Sequence, residues 1–272
     1  MELSRSETLM YATHKIEMLN TEEICTGYAT GFLMGIPHNN SDHLFHMILV
    51  TNRHVLAACQ KIRISFISKK SYQQSLHSPE IIPTTINTDA AIMHPNPNID
   101  LAVLDISRCL KRLCESDTPP FYSYLLPELI PTPEDWESFD AMEPIVMIGY
   151  PNGILDSKNN LPIFRQGITA THPAFDFEGL PVFLADMSCF PGSSGSPVLI
   201  HNQGMPYFDK RTHSIKFTDR TFLMGIQHAT QIMSDLINTT DQPATIRQYI
   251  DLGRIIKSSE LLAFFPLIES AR

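Results

Sequence analysis

Three stretches carry side chains that could do chemistry together. LVTNRHVLAAC (49–59) runs a strand-like segment into His54. NPNIDLAVLDI (96–106) sets Asp100 at the mouth of an apolar strand. SCFPGSSGSPVLI (188–200) holds Ser194 in a tight Gly/Ser loop that leads into another strand. Each alone has a plainer reading, as a strand-end histidine, a turn or capping aspartate, or a Gly-rich turn. Together, in the order His, Asp, Ser, they supply a base, a carboxylate and a nucleophile. A serine hydroxyl is a poor nucleophile near neutral pH and needs a base within hydrogen-bond reach. An imidazole such as that of His54 can take the proton and later return it to a leaving group. A buried carboxylate such as Asp100 would fix the imidazole tautomer and stabilise the imidazolium. The glycines of the serine loop permit φ > 0, so that successive backbone N–H groups can converge on one point.

These groups need a scaffold, and the rest of the chain reads as short strands. TGYATGFLM (26–34) and LFHMILVT (44–51) flank the turn cluster PHNNSD (37–42), which is a hairpin signal. Further short runs rich in β-branched and aromatic residues lie at 62–67, 90–93, 101–106, 145–150, 164–171, 181–186, 197–200, 214–218 and 222–229. Regular short strands with turn signals indicate a sandwich or barrel. The spacing of Ile246, Tyr249, Ile250 and Leu252 predicts a C-terminal helix. The expected division is an N-terminal lead (1–23), a first β-unit (24–115), a Pro-rich connector (116–143), a second β-unit (144–240) and a helical tail (241–272).

Composition narrows the function class. Across 272 residues, 20 Lys+Arg against 29 Asp+Glu give a net charge of −9, which argues against a protein that tracks nucleic-acid phosphates. An apolar fraction of 43% with 18% charged residues is globular composition. No apolar run reaches the length of a membrane span, and the first twenty residues show no secretory pattern. Five cysteines do not make a disulfide framework. The expectation is a reduced, cytoplasmic protein.

The sequence resembles the trypsin-like, chymotrypsin-fold serine peptidases, and among them the bacterial, non-secreted branch. The likeness rests on TNRHV around His54, DLAVL after Asp100 and PGSSGSPV around Ser194, with IGYPNG (148–153) and LPIFRQGITATHP (161–173) as further similar segments. It covers roughly residues 26 to 230 and implies an all-β fold of two six-stranded antiparallel barrels with a C-terminal helix. It implies Ser194 as nucleophile, His54 as general base and acid, Asp100 as orienting carboxylate, and the N–H groups of Gly192 and Ser194 as oxyanion hole. It implies a protein or peptide substrate and no cofactor. One departure is Ser196, where the family has a second glycine after the serine.

The resemblance also indicates a substrate pocket. Ser188, six residues before Ser194, would lie at its base, with His228, Ala229 and Thr230 along the cleft strand. His228 would either donate to Asp100 or stand at the pocket rim. Without an acid at 188 the expected residue before the scissile bond is small or medium and uncharged, unless Asp186 reaches the pocket from below. Ser193 stands where secreted relatives carry the acid that receives a new N-terminus. Regulation is therefore expected from a protein partner, a sensor or loop ordering, not from N-terminal cleavage.

Other readings fit less well. An α/β-hydrolase elbow needs G-x-S-x-G, but Ser196 occupies the second glycine, and the acid and base precede the serine. H-E-x-x-H, G-x-G-x-x-G and Walker A patterns are absent, and Cys109 and Cys114 have no second pair for zinc. The alternative from another class is a catalytically silent peptidase-fold binding module, which the intact His54, Asp100 and Ser194 disfavour.

Overall fold

The computed structural model describes residues 3–38, 41–74, 79–238 and 243–270. The N-terminal half forms strands β1 (Thr13–Leu19), β2 (Cys25–His38), β3 (Ser41–Thr51), β4 (Lys61–Ser68), β5 (Ile81–Asn87), β6 (Ile92–Met93), β7 (Ala102–Asp105) and β8 (Pro120–Phe121). Helices α1 (Arg5–Ala12), α2 (Arg53–Ala57), α3 (Lys69–Gln74) and α4 (Ser107–Cys114) lie between them, and α5 (Pro133–Ser138) follows. The C-terminal half contributes β9 (Pro144–Gly149), β10 (Ile163–Thr169), β11 (Val182–Asp186), β12 (Pro197–Asn202), β13 (Tyr207–Asp209), β14 (Ser214–Lys216), β15 (Arg220–Asn238) and β16 (Pro243–Lys257). Helix α6 (Phe265–Ser270) closes the chain.

One of the two expected six-stranded barrels closes. Strands β10-β11-β16-β15-β12-β9 form a closed antiparallel barrel. The N-terminal strands instead form an eight-stranded sheet in the order β5-β4-β1-β2-β3-β7-β6, with β8 paired to β4. Its two ends do not join among the described residues. Strand β6 is only two residues long and pairs with β7 alone, so it presents no ladder for β5 to complete.

The alternation of side chains along β2, β3 and β7 explains their continuous apolar runs. Phe32, Met34, Val50 and Val103 face the core shared with the barrel, together with Ile148, Leu199 and Ile226. Leu33, Leu49 and Leu104 point the other way, into the core of the open sheet with Ile16, Ile62 and Phe66. Strands buried on both faces have no polar side to show. A third core of Ile145, Met147, Phe183, Val198 and Ile255 fills the barrel.

Three segments take a more specific form than the sequence shows. The N-terminal lead contains β1, which pairs with both β2 and β4 in the middle of the open sheet. The connector is packed, with Leu125, Ile130, Trp136 and Phe139 buried, and Leu125 hydrogen-bonded to Leu33 and Gly35. The expected C-terminal helix is present as α6, but the stretch whose spacing predicted it is strand β16 through Lys257. Its pairing with β15 is irregular, stepping from Thr230↔Gly253 to Ile232↔Tyr249. This bulge breaks the two-residue period of the apolar positions and mimics helical spacing. The helix begins only at Phe265.

Candidate active site

Strand β3 ends at Thr51, and fully buried Asn52 stands immediately before the short helix α2 that carries His54. The loop before β7 is tied to this turn. Asn52 Nδ2 donates to the Asp100 carbonyl at 2.8 Å, and the Arg53 N–H donates to the same oxygen at 3.3 Å. Arg53 also donates its guanidinium to the carbonyls of His94 and Asn96, fixing the descent into Asp100. These bonds hold the Asp100 backbone independently of its side chain.

The Asp100 carboxylate then receives two bonds from His54. The backbone N–H of His54 donates to Oδ1 at 2.9 Å, and Nδ1 lies 2.6 Å from Oδ2. A carboxylate can only accept, so Nδ1 carries the hydrogen and Nε2 keeps the basic lone pair. His228, half-buried on β15, brings its own Nδ1 to 3.6 Å from the same Oδ2. Burial alone would raise the Asp100 carboxyl. The imidazoles of His228 and His54, with the His54 backbone N–H, outweigh it and hold the group well below the ordinary carboxylate range.

Ser194 comes from the barrel, in the loop between Phe190 and β12. Gly192 and Gly195 have φ of 89° and 86°, the left-handed region that glycine enters without steric cost. Neither tolerates a side chain. A Cβ on Gly195 would collide with the Thr30 carbonyl and the Thr51 hydroxyl, and one on Gly192 would lie 2.6 Å from the Tyr150 carbonyl. The loop is clamped from both sides. The Thr30 N–H donates to the Ser194 carbonyl at 2.8 Å, and the Gly195 N–H donates to the Gln227 carbonyl at 2.8 Å, one residue before His228. Thr51, three residues before His54, donates its hydroxyl to the Thr30 carbonyl at 2.8 Å. Among the described residues the Ser194 hydroxyl and the N–H groups of Gly192 and Ser194 take no hydrogen-bond partner. Chemically, the cluster holds an oriented base beside a serine loop whose inner N–H groups are unspent.

A model of the trypsin-like peptidase domain matches residues 29–205, more than half of the chain. The chain belongs to the trypsin-like peptidase family. In this peptidase-family chain the fold is mostly β and chymotrypsin-like, with one closed barrel. No curated protein matches the sequence. Among solved structures, the active form of the Rv3671c protease from M. tuberculosis is 12% identical, with a TM-score of 0.49 over 98% of this chain and 85% of that one. The MamO protease domain from Magnetospirillum magneticum is 12% identical, with a TM-score of 0.49 over 96% and 98%. The scabies mite inactivated protease paralogue S-I1 is 14% identical, with a TM-score of 0.49 over 96% of each chain.

The expected pocket residues lie beside the serine loop. Ser188, Ala229 and Thr230 are half-buried. The Ser188 carbonyl accepts from Arg165 Nη1 at 3.3 Å, and the Ala229 carbonyl accepts from Gln227 Nε2 at 3.1 Å. Ala229 and Thr230 pair across β16 with Arg254 and Gly253. Asp186 is exposed and forms no ion pair among the described residues. Buried Cys189 has its thiol pushed up to about 11 by burial, against the opposing pull of Gln227 and Arg165. All five cysteines are free thiols. Ser193 is fully buried, and its hydroxyl has no hydrogen-bond partner. A cavity of about 510 Å³ lined by Arg5, Tyr207 and Arg220 contains none of these groups. Sequence reasoning did not single out Thr30, Asn52, Arg165 or Gln227. Arg165 lay within a segment quoted for its resemblance, and its inward position on β10 needs the barrel to be known.

Proposed function

We propose that this protein is a serine endopeptidase that hydrolyses peptide bonds of protein substrates through His54, Asp100 and Ser194. The observation that carries the reading is the pair of bonds from His54 to Asp100, which leaves Nε2 basic on the turn next to the serine loop. In the proposed cycle Ser194 Oγ attacks the scissile carbonyl carbon while its proton passes to Nε2. The oxyanion that forms takes the free N–H groups of Gly192 and Ser194, each worth roughly 3–4 kcal/mol in such holes. Collapse breaks the C–N bond, and the imidazolium gives its proton to the departing amine. Water, deprotonated by the same imidazole, then releases the acyl group and restores the serine. The buried, uncharged Ser193 supports competence without N-terminal cleavage, with control left to a partner or sensor.

A fluorophosphonate probe and a peptide-cleavage assay test the proposal. Wild-type protein should be labelled at Ser194. Ser194→Ala and His54→Ala should each lower kcat by about 10⁴–10⁶, and the double variant by little more. Wild-type cleavage by Ser194→Ala would reject Ser194 as the nucleophile, and a folded wild type that neither labels nor cleaves would reject catalysis and leave the silent binding module.

A further inference from the structure

Arg165 projects from β10, where residues 163, 165 and 167 are half-buried and residues 164, 166 and 168 are exposed. Its guanidinium lies 4.9 Å from the centre of the Phe190 ring, and Nη1 reaches the Ser188 carbonyl at 3.3 Å. It therefore sits against segment 188–190, which leads directly into Gly192 and Ser194. Cys189, inside that segment, interacts with both Arg165 and the Gln227 side chain, and the Gln227 carbonyl accepts the Gly195 N–H, so the arginine and the nucleophile's loop share one neighbourhood.

The charge there is not neutralised. Among the described residues no carboxylate lies within 4.0 Å of Arg165, and its Nε is buried without a hydrogen-bond partner. The nearby acids, Asp186 and Asp251, are exposed and not paired with it. A half-buried guanidinium held by a carbonyl and an aromatic face, with donors left over, is arranged for a planar anion that arrives from outside. A lysine or arginine entering here would meet a like charge, and an apolar side chain would offer the guanidinium no acceptor.

We propose that Arg165 is a specificity-determining residue, and that the protein cleaves after acidic side chains whose carboxylate completes the Arg165 site. This inference rests on the endopeptidase reading. It replaces the uncharged preference expected from Ser188 alone, because the cation comes from a strand distant in sequence. The preferred residue before the scissile bond is Glu or Asp, and the diagnostic comparison is Glu against its neutral isostere Gln.

The test is a positional peptide library read alongside fluorophosphonate labelling of the same preparations. Wild-type protein should cleave after Glu about 10²-fold faster in kcat/KM than after Gln in the same peptide. Arg165→Gln should lose that ratio, with kcat/KM for the Glu peptide falling to that for the Gln peptide while Ser194 is still labelled. Arg165→Lys should retain a reduced preference for acid, which separates loss of charge from loss of packing. Labelled wild-type protein that prefers Gln, apolar or basic residues overturns this inference alone. So does an acid preference that survives Arg165→Gln. Folded wild-type protein that neither labels nor cleaves overturns the endopeptidase reading, and this inference with it.

Discussion

Replacing Asp100 with asparagine tests the arrangement at its tightest point, and the geometry sets the outcome. Oδ1 accepts the His54 backbone N–H at 2.9 Å, so the amide oxygen of Asp100→Asn stays on that donor. The amide nitrogen then occupies the position of Oδ2, 2.6 Å from His54 Nδ1 in the wild type. It donates to Nδ1, moves the imidazole hydrogen to Nε2 and removes the lone pair needed to accept the serine proton. The imidazolium of the transition state also loses its counter-charge. At about 4 Å between charge centres and an effective dielectric near 20, that is about 4 kcal/mol, or roughly three decades of rate. With the tautomer, the expected fall in kcat/KM is about 10⁴-fold. Fluorophosphonate labelling should slow in parallel. The fold should persist, because Asn52 and Arg53 hold the Asp100 backbone carbonyl and not its side chain. Ionisation of Asp100 does not complicate the assay. Its folded value is depressed, so its contribution to stability is complete above the unfolded value of about 3.9 and is lost only as pH falls through the folded one. A loss of less than tenfold in a folded variant would refute the assignment of Asp100 as the group that orients His54.

Two further outcomes follow from buried groups. His14 is fully buried on β1, and burial lowers it to about 4, so the unfolded chain binds a proton that the folded one refuses. Stability should fall by up to about 3 kcal/mol as pH drops from 6.5 toward 4, and His14→Leu should flatten that part of a Tm–pH curve; a curve unchanged by the substitution would count against it. Thr30→Val keeps shape but deletes a hydroxyl that donates to the Gly192 carbonyl at 2.9 Å and accepts from the Tyr150 N–H at 3.0 Å. Roughly 2–4 kcal/mol should be lost in chemical denaturation, with slower labelling of Ser194, and wild-type values for both would contradict the clamp.

What could be read from sequence follows from where the side chains face. Strands β3 and β7 were legible because both faces are buried, so their runs are uninterrupted. The His, Asp and Ser stretches were legible because tight turns restrict the residues that fit. Strand β1 was obscured within the expected N-terminal lead by Lys15 and Glu17, charges that break up its apolar positions. In the fold Lys15 lies 5.3 Å from the centre of the Tyr28 ring, and Glu17 pairs across the sheet with Arg63. Cross-strand partners of that kind have no local signature. The strand character of β16 was hidden by its bulge. Arg165 was hidden for a different reason, since nothing in one sequence says which face of β10 looks toward residues 188–190.

The division of the site between the two halves makes the position of the nucleophile a tertiary property. His54 and Asp100 belong to the open sheet, Ser194 and His228 to the barrel, and the two halves share one apolar core. Apolar packing is non-directional and does not by itself set the serine loop to within a few tenths of an ångström. Thr30 supplies the directional part. Its N–H, hydroxyl and carbonyl bind Ser194, Gly192, Tyr150 and Thr51, so one fully buried residue on β2 ties the serine loop, the end of β9 and the end of β3 together. Gly195 is required at the same place, because only a residue without Cβ lets the loop approach the Thr30 carbonyl. The His–Asp pair is fixed mainly by contacts within its own half, with His228 as its one named contact from the barrel. The serine is fixed by contacts across the junction, and perturbing that junction acts on the nucleophile before it acts on the base.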